Sequence, residues 1–227
     1  MPKEAPGSKS ALLAGATGLV GRALLQLLLN SESYRRVTVF ARAPMRGVEA
    51  HPKLDWTAID FGRLPDPFPV VDDVYIALGT TIKVAGSEEA FRRVDFDHVV
   101  GVARAARAAG ATRLAVVSAL GADSASRVFY NRVKGDMQAA VAGLGYASVV
   151  IAQPSLLMGD RAALGQPVRG GEVLAARLLR PVMGLVPRGV RPIASDAVAE
   201  ALLRATLTAQ PGVRILTSSQ MQERARS

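Results

Sequence analysis

Short unbroken apolar runs alternate along this chain with longer stretches in which apolar residues recur every three or four positions. The first run, Ala11, Leu12, Leu13 and Ala14, reads as a strand buried on both faces, and Gly15 ends it. Beyond it Val20, Ala23, Leu24, Leu27 and Leu28 fall at helical spacing, so residues 10 to 30 predict strand, glycine turn and helix. Val37 to Ala41 predicts a second strand, Leu54 to Ile59 a third and Val74 to Leu78 a fourth. Residues 88 to 109 predict one long helix, with Ala and Val inward, Arg92, Arg93, Arg104 and Arg107 mostly outward, and Gly110 as its cap. Leu114 to Val117 is the fifth strand and ends at Ser118. A helix through Tyr130, Lys134, Met137 and Val141 follows, then a sixth strand, Val149 to Ala152, before Gln153 and Pro154.

This alternation with short connections predicts an α/β fold: a doubly wound, mainly parallel, Rossmann-like sheet with helices on both faces. One domain over residues 10 to 220 suits the length of 227, with residues 1 to 9 a loose polar tail. Residues 155 to 195, rich in Pro and Gly, predict a small C-terminal substrate lobe with one short helix. Residues 195 to 207 predict a helix with Ser195 as N-cap and Asp196 in its first turn. Val213 to Leu216 predicts a last short strand, and MQERARS a tail.

Composition narrows the chemistry. The chain has no Cys, which excludes disulfides, thiolate metal sites and cysteine nucleophiles and suits a reducing, cytoplasmic setting; two His cannot make a histidine metal cluster. Lys3 and Lys9 before an apolar run imitate a secretory leader, but that run is the glycine turn and Arg22 interrupts it; no stretch predicts a membrane span. The net charge of +9, from 28 Lys and Arg against 19 Asp and Glu, suits anionic ligands. The Arg residues are scattered and lack aromatic interleaving, so a small anionic molecule is expected and nucleic acid is not.

The glycine turn supplies that ligand's chemistry. Gly15 permits the tight turn, Gly18 lets backbone approach a pyrophosphate, and Gly21 lets the helix lie against the strand. The turn as a whole, with Thr17, Leu19 and Val20, places phosphates at the helix N-terminus, where unpaired N–H groups and the macrodipole favour an anion. Arg42 ends the second strand, where an acidic residue would bind the ribose hydroxyls of NAD. A guanidinium there suits a 2′-phosphate, so NADP(H) is expected over NAD(H).

Tyr130 and Lys134 are four apart and share a helix face, and Ser118 reaches the rim where that helix begins. A free Tyr ionises near about pH 10; bringing that about two to three units lower corresponds to roughly 3 to 4 kcal/mol of preference for the phenolate. A nearby lysine ammonium in a shielded site supplies such a preference. The expected roles are Tyr130 as proton donor to a carbonyl, Ser118 holding the carbonyl oxygen, and Lys134 supporting the phenolate and binding the nicotinamide ribose.

With these residues in view, the chain resembles the short-chain dehydrogenase/reductases, in the atypical NAD(P)H-binding branch that includes the Tat-interacting-protein-type oxidoreductases. GATGLVG at 15 to 21, VTVFAR at 37 to 42, LGTT at 78 to 81, VVSALGADSAS at 116 to 126, YNRVKGDMQ at 130 to 138 and QPSLLMGDR at 153 to 161 carry the likeness. The resemblance maps the family's serine, tyrosine and lysine onto Ser118, Tyr130 and Lys134. It also implies that Asp60 and Phe61 contact the adenine, that Leu78, Gly79 and Thr80 pass along the adenosine side, and that Pro154 lies beside the nicotinamide. Many members carry Asn where this chain has Asp95, and a carboxylate cannot donate as an amide does. The implied activity is NADPH-dependent reduction of a small carbonyl or related substrate, by a monomer or homodimer. A non-catalytic NADP(H) sensor and a nucleotide-sugar epimerase or dehydratase are the alternatives. The short region after residue 155 leaves little material to bury a sugar nucleotide.

Overall fold

The computed structural model describes residues 7–42, 50–158 and 189–224. The expected short helix between 170 and 187, and most of the expected substrate lobe, lie outside the described residues. Seven strands form one sheet: β1 (Lys9–Ala14), β2 (Tyr34–Ala41), β3 (Leu54–Ala58), β4 (Asp73–Ile76), β5 (Arg113–Val117), β6 (Ser148–Gln153) and, last in the chain, β9 (Gly212–Thr217). Their order is β3-β2-β1-β4-β5-β6-β9, and every neighbouring pair is parallel. Two further strands, β7 (Leu157–Met158) and β8 (Ile193–Ala194), pair with each other apart from the main sheet.

Alternate side chains of each strand feed two cores, as the two-residue period of a strand requires. On one face Ala11, Leu13, Val37, Val39 and Val150 pack against α1 (Leu19–Asn30) and α6 (Ser195–Thr208). On the other Leu12, Ala14, Ile76, Val116 and Ile151 pack against α4 (Val99–Ala108) and α5 (Phe129–Ala142). With β1 at the centre, the chain winds outward first to β3 and then, past β4, to β9. The reversal between β1 and β4 opens a crevice at the C-terminal ends of the strands, where such sheets bind ligands.

Several elements differ from the sequence expectation, each for a physical reason. The sheet begins at Lys9, which is buried, so the expected tail is shorter by one residue. Strand β2 starts three residues early because Tyr34 is fully buried. Its hydroxyl donates to Asp73 at 2.6 Å and lies 2.8 Å from that of Tyr75. The single long helix is instead α3 (Glu88–Arg92), a π-helical turn (Arg93–His98) and α4. Residues four apart drift around an α-helix, and one wider turn cancels that drift, keeping Phe91, Asp95 and Val99 all inward. A one-turn helix, α2 (Ile82–Ala85), capped by the Thr81 hydroxyl, precedes them.

Ser195 is the first residue of α6 and not its cap: Ala194 occupies the cap position, and the Ser195 hydroxyl donates to Asp196. The expected tail contains the end of a helix, α7 (Ser218–Arg224), docked by Met221, which is 1% exposed.

Candidate active site

Gly15, at φ +95°, turns the chain out of β1; a Cβ there would lie 2.6 Å from the Ala77 carbonyl, so the turn passes directly over the end of β4. Gly21 is tighter still. A Cβ on it would stand 2.0 Å from the Gly15 carbonyl oxygen, which is how closely α1 lies against the turn. Gly18 is different: an added Cβ would meet nothing nearer than the Gly15 oxygen at 3.6 Å. Protein packing therefore has room for a Cβ at Gly18, at ordinary contact distance. It is also the N-cap of α1, where no side chain takes the cap and the first turn has no acidic residue. The helix end presents its N–H groups there, and Thr17 is exposed beside it while Leu19 is half-buried and Val20 buried.

Along the rim, Arg42 at the end of β2 is exposed and lines a pocket of about 450 Å³ with Ala58, Ile59 and Asp60. Asp60 accepts the Gly62 N–H at 2.9 Å, fixing the turn after β3. Phe61 points inward, 8% exposed, and stacks on His98 with ring centres 5.9 Å apart. Burial pushes the His98 imidazole below its ordinary value, while Asp60 and Asp97 pull it upward.

The far side of the crevice is built on α5. Tyr130, Lys134 and Gln138 occupy successive turns at four-residue spacing, and so share one face. The Tyr130 ring packs on Phe91 of α3 at 5.2 Å. The Lys134 side chain is 4% exposed, and its Nζ lies 2.8 Å from Asp95 Oδ1 on the π-helical turn. Asp95 Oδ2 accepts the Thr80 N–H at 2.8 Å. Gly79 stands against that pair: a Cβ on it would be 3.3 Å from Asp95 Oδ1 and 3.8 Å from Lys134 Nζ. Gly79 and Thr80, expected along the adenosine side, thus also border the lysine, and Leu78 packs into the core beneath them.

Ser118, directly after β5, is 5% exposed and accepts a hydrogen bond from Gln138 Nε2 at 2.6 Å. Gln138 in turn accepts from Gln153 Nε2 at 3.1 Å. The relay runs in one direction, from Gln153 at the end of β6 through Gln138 to the serine oxygen, and leaves the serine's own proton to be donated. Pro154 is buried, and its carbonyl accepts the Leu120 N–H at 2.9 Å, tying the loops after β5 and β6 together. Gly135 allows the close crossing of α5 by the loop after β5, since a Cβ there would lie 2.1 Å from Ser124 N.

The structure thus sets two groups along α5: Asp95 joins Lys134 to Thr80 beside Gly79, and Gln138 joins Ser118 to Gln153, with Tyr130 one turn from Lys134. Arg42 and Asp60 form a separate group at the far end of the sheet. Sequence reasoning did not find Gln138 as a site residue, although YNRVKGDMQ holds it one more four-residue step beyond Lys134.

Comparison with known proteins gives a consistent result. A family model described as NAD(P)H-binding matches residues 15–156. Protein HTATIP2 of Rattus norvegicus is 33% identical over 174 residues, 75% of this chain and 70% of that protein. The mitochondrial protein fmp52 of Aspergillus fumigatus is 33% identical over 210 residues, 88% of each chain. Among solved structures, MoeE5 in complex with UDP-glucose and NAD superimposes with a TM-score of 0.68 at 17% identity, over 93% of this chain and 79% of that one. The PhqB reductase domain from Penicillium fellutanum gives 0.65 at 17% identity, over 95% and 69%. These structural likenesses establish the fold.

Proposed function

The chain belongs to the NAD(P)H-binding family that matches its residues 15–156, and on that footing we propose that it is an NADPH-dependent oxidoreductase reducing a small carbonyl or related substrate. The looser packing at Gly18, against the tight packing at Gly15 and Gly21, fits a pyrophosphate seated at the N-terminus of α1. Arg42 binds the 2′-phosphate in the pocket it shares with Asp60. Bound NADPH supplies the hydride.

The observation that carries the reading is the face of α5 turned to Ser118. Gln138 occupies the serine's acceptor side, so Ser118 donates its hydrogen to the substrate oxygen and holds it in place. Tyr130 gives its proton to that oxygen as negative charge develops there, and the Lys134 ammonium stabilises the resulting phenolate. Lys134 also holds the ribose next to the reacting carbon.

A sensor of cofactor redox state has no use for an oriented Gln153–Gln138–Ser118 relay, and on that observation we favour the enzyme. No helix among the described residues is long and apolar enough to cross a membrane. The cytoplasm is our reading of its place, and because the fungal relatives carry the name mitochondrial, cell fractionation is its check. The reaction is tested by following NADPH oxidation against a panel of aldehydes, ketones and quinones, with the reduced product identified by mass spectrometry. Oxidation matched mole for mole by a reduced product supports the reading; tight NADPH binding with no reduction of any compound in the panel favours the sensor.

A further inference from the structure

Asp95 stands where the resemblance to the short-chain dehydrogenase/reductases implies an asparagine, and the geometry shows what a carboxylate does there. The residue is fully buried, at 0% exposure, on the π-helical turn. Both of its oxygens meet donors: Oδ2 the Thr80 N–H at 2.8 Å, Oδ1 the Lys134 ammonium at 2.8 Å. An asparagine has one acceptor and one donor on its amide. Whichever way it turned, its NH2 would face either the Thr80 N–H or the ammonium. The position therefore suits a carboxylate, one oxygen accepting from the Thr80 N–H and the other setting its charge beside the ammonium.

Among the described residues the charge has one ion-pair partner. Asp136, two residues beyond Lys134 on α5, is engaged by Arg92 at 3.2 Å, and Ser118 and Gln138 on the same side of α5 are neutral. Asp95 is thus the carboxylate paired with Lys134. A buried ammonium keeps its proton only when such a counter-charge is at hand. The contact at Oδ1 is an ion pair that is not aligned as a hydrogen bond, which leaves the ammonium's N–H directions for other acceptors in the crevice.

We infer that Asp95 is a positioning residue: it holds Lys134 as a fixed, charged donor and, through Thr80, ties the loop after β4 to the helix that carries Tyr130. The inference rests on the reductase reading for what Lys134 goes on to do. The clamp itself is testable without substrate or cofactor.

The test uses the full chain with carbon-13 at the lysine ε position, followed by NMR as pH is raised, with the Lys134 signal assigned by its loss in Lys134→Met. In Asp95→Asn the Lys134 titration is expected to move to lower pH, the effect of removing an opposite charge at contact distance. A Lys134 titration unchanged in Asp95→Asn overturns the inference. NADPH affinity gives a second reading: each single variant is expected to bind about tenfold more weakly or worse, and the double variant no more weakly than the poorer single, because both act through one pair. Additive losses overturn it. Should Asp95→Asn fail to fold, the double variant with Lys134→Met removes both charges. A double that folds where the single does not is the same coupling read as stability, and a double as unfolded as the single overturns the inference. Should Tyr130→Phe keep full turnover, the reductase reading fails while the lysine titration still decides the clamp.

Discussion

The contrast among the glycines of the first turn yields a prediction that separates fold from function. Replacing Gly21 with Ala puts a methyl 2.0 Å from the Gly15 carbonyl oxygen and 3.0 Å from Ala16 Cα, all backbone, so α1 must move off the turn. Overpacking of this kind costs about 1–3 kcal/mol where side chains can yield, and here the neighbours are main chain. A loss of roughly 3 kcal/mol, about 6–12 °C in Tm for a chain of this length, is expected. Gly18→Val meets a different situation. A Cβ there sits at ordinary contact distance, 3.6 and 3.9 Å from the nearest atoms, and the cap conformation, φ −81° and ψ 169°, is open to any residue. Exchanging glycine for alanine at a cap costs about 0.5 kcal/mol or somewhat more, and the stiffer unfolded chain returns about 0.4–1 kcal/mol. Stability should stay within about 1 kcal/mol of the parent. The isopropyl group instead occupies the proposed pyrophosphate space. Losing even one hydrogen bond to a charged group there costs about 1.5–3 kcal/mol, at least tenfold in affinity. Thermal melts with and without NADPH, together with calorimetric titration, read both quantities. If Gly18→Val melts as low as Gly21→Ala, or binds NADPH like the parent, the assignment of the phosphates to this helix end is wrong.

Other outcomes follow from the same geometry. Arg42→Asp should reverse a preference for NADPH over NADH that we expect to be at least tenfold, and equal affinities in the parent would refute the role of Arg42. Asp73→Ala strips Tyr34 and Arg113 of a fully buried partner, and circular dichroism melts should show a loss of roughly 3 kcal/mol. The folded value of His98 lies below its ordinary 6.5, so its contribution to stability is complete above about pH 6.5 and is lost as pH falls through the lowered value; His98→Gln should flatten the acid side of the Tm profile. Burial pushes the hydroxyls of Tyr34, Tyr75 and Tyr146 far above their ordinary range. Tyrosinate absorbance from these three should therefore appear only as the chain unfolds.

What the sequence disclosed was local. A glycine turn between an apolar run and a 3.6-residue series involves neighbours in the chain, and so does a tyrosine four residues before a lysine. The doubly wound, mainly parallel sheet followed from the alternation of elements, while the order of its strands came from the structure. Asp95 stood out only as a departure from the family pattern; its burial and its pairing with Lys134 escaped because nothing in the local pattern marks the wide turn that carries it inward. Gln138 escaped because its meaning depends on Ser118, twenty residues away, and on Gln153 in the next strand. The end of α7 reads as a tail because its composition is polar; Met221 buried in the core shared with α6, and Ser218 buried against Ser155, hold the helix in place.

Deuteride transfer tests the central claim most directly. NADPH labelled at the transferable position is offered to the protein and to Tyr130→Phe with the best carbonyl compound of the panel, and deuterium is located in the product. The parent should place the label on the carbon of the reduced carbonyl. The variant should bind NADPH as tightly yet transfer about a hundred to ten thousandfold more slowly, the usual contribution of a general acid. Transfer by Tyr130→Phe at the parent's rate would contradict the mechanism and leave the chain better described as a sensor of the cofactor.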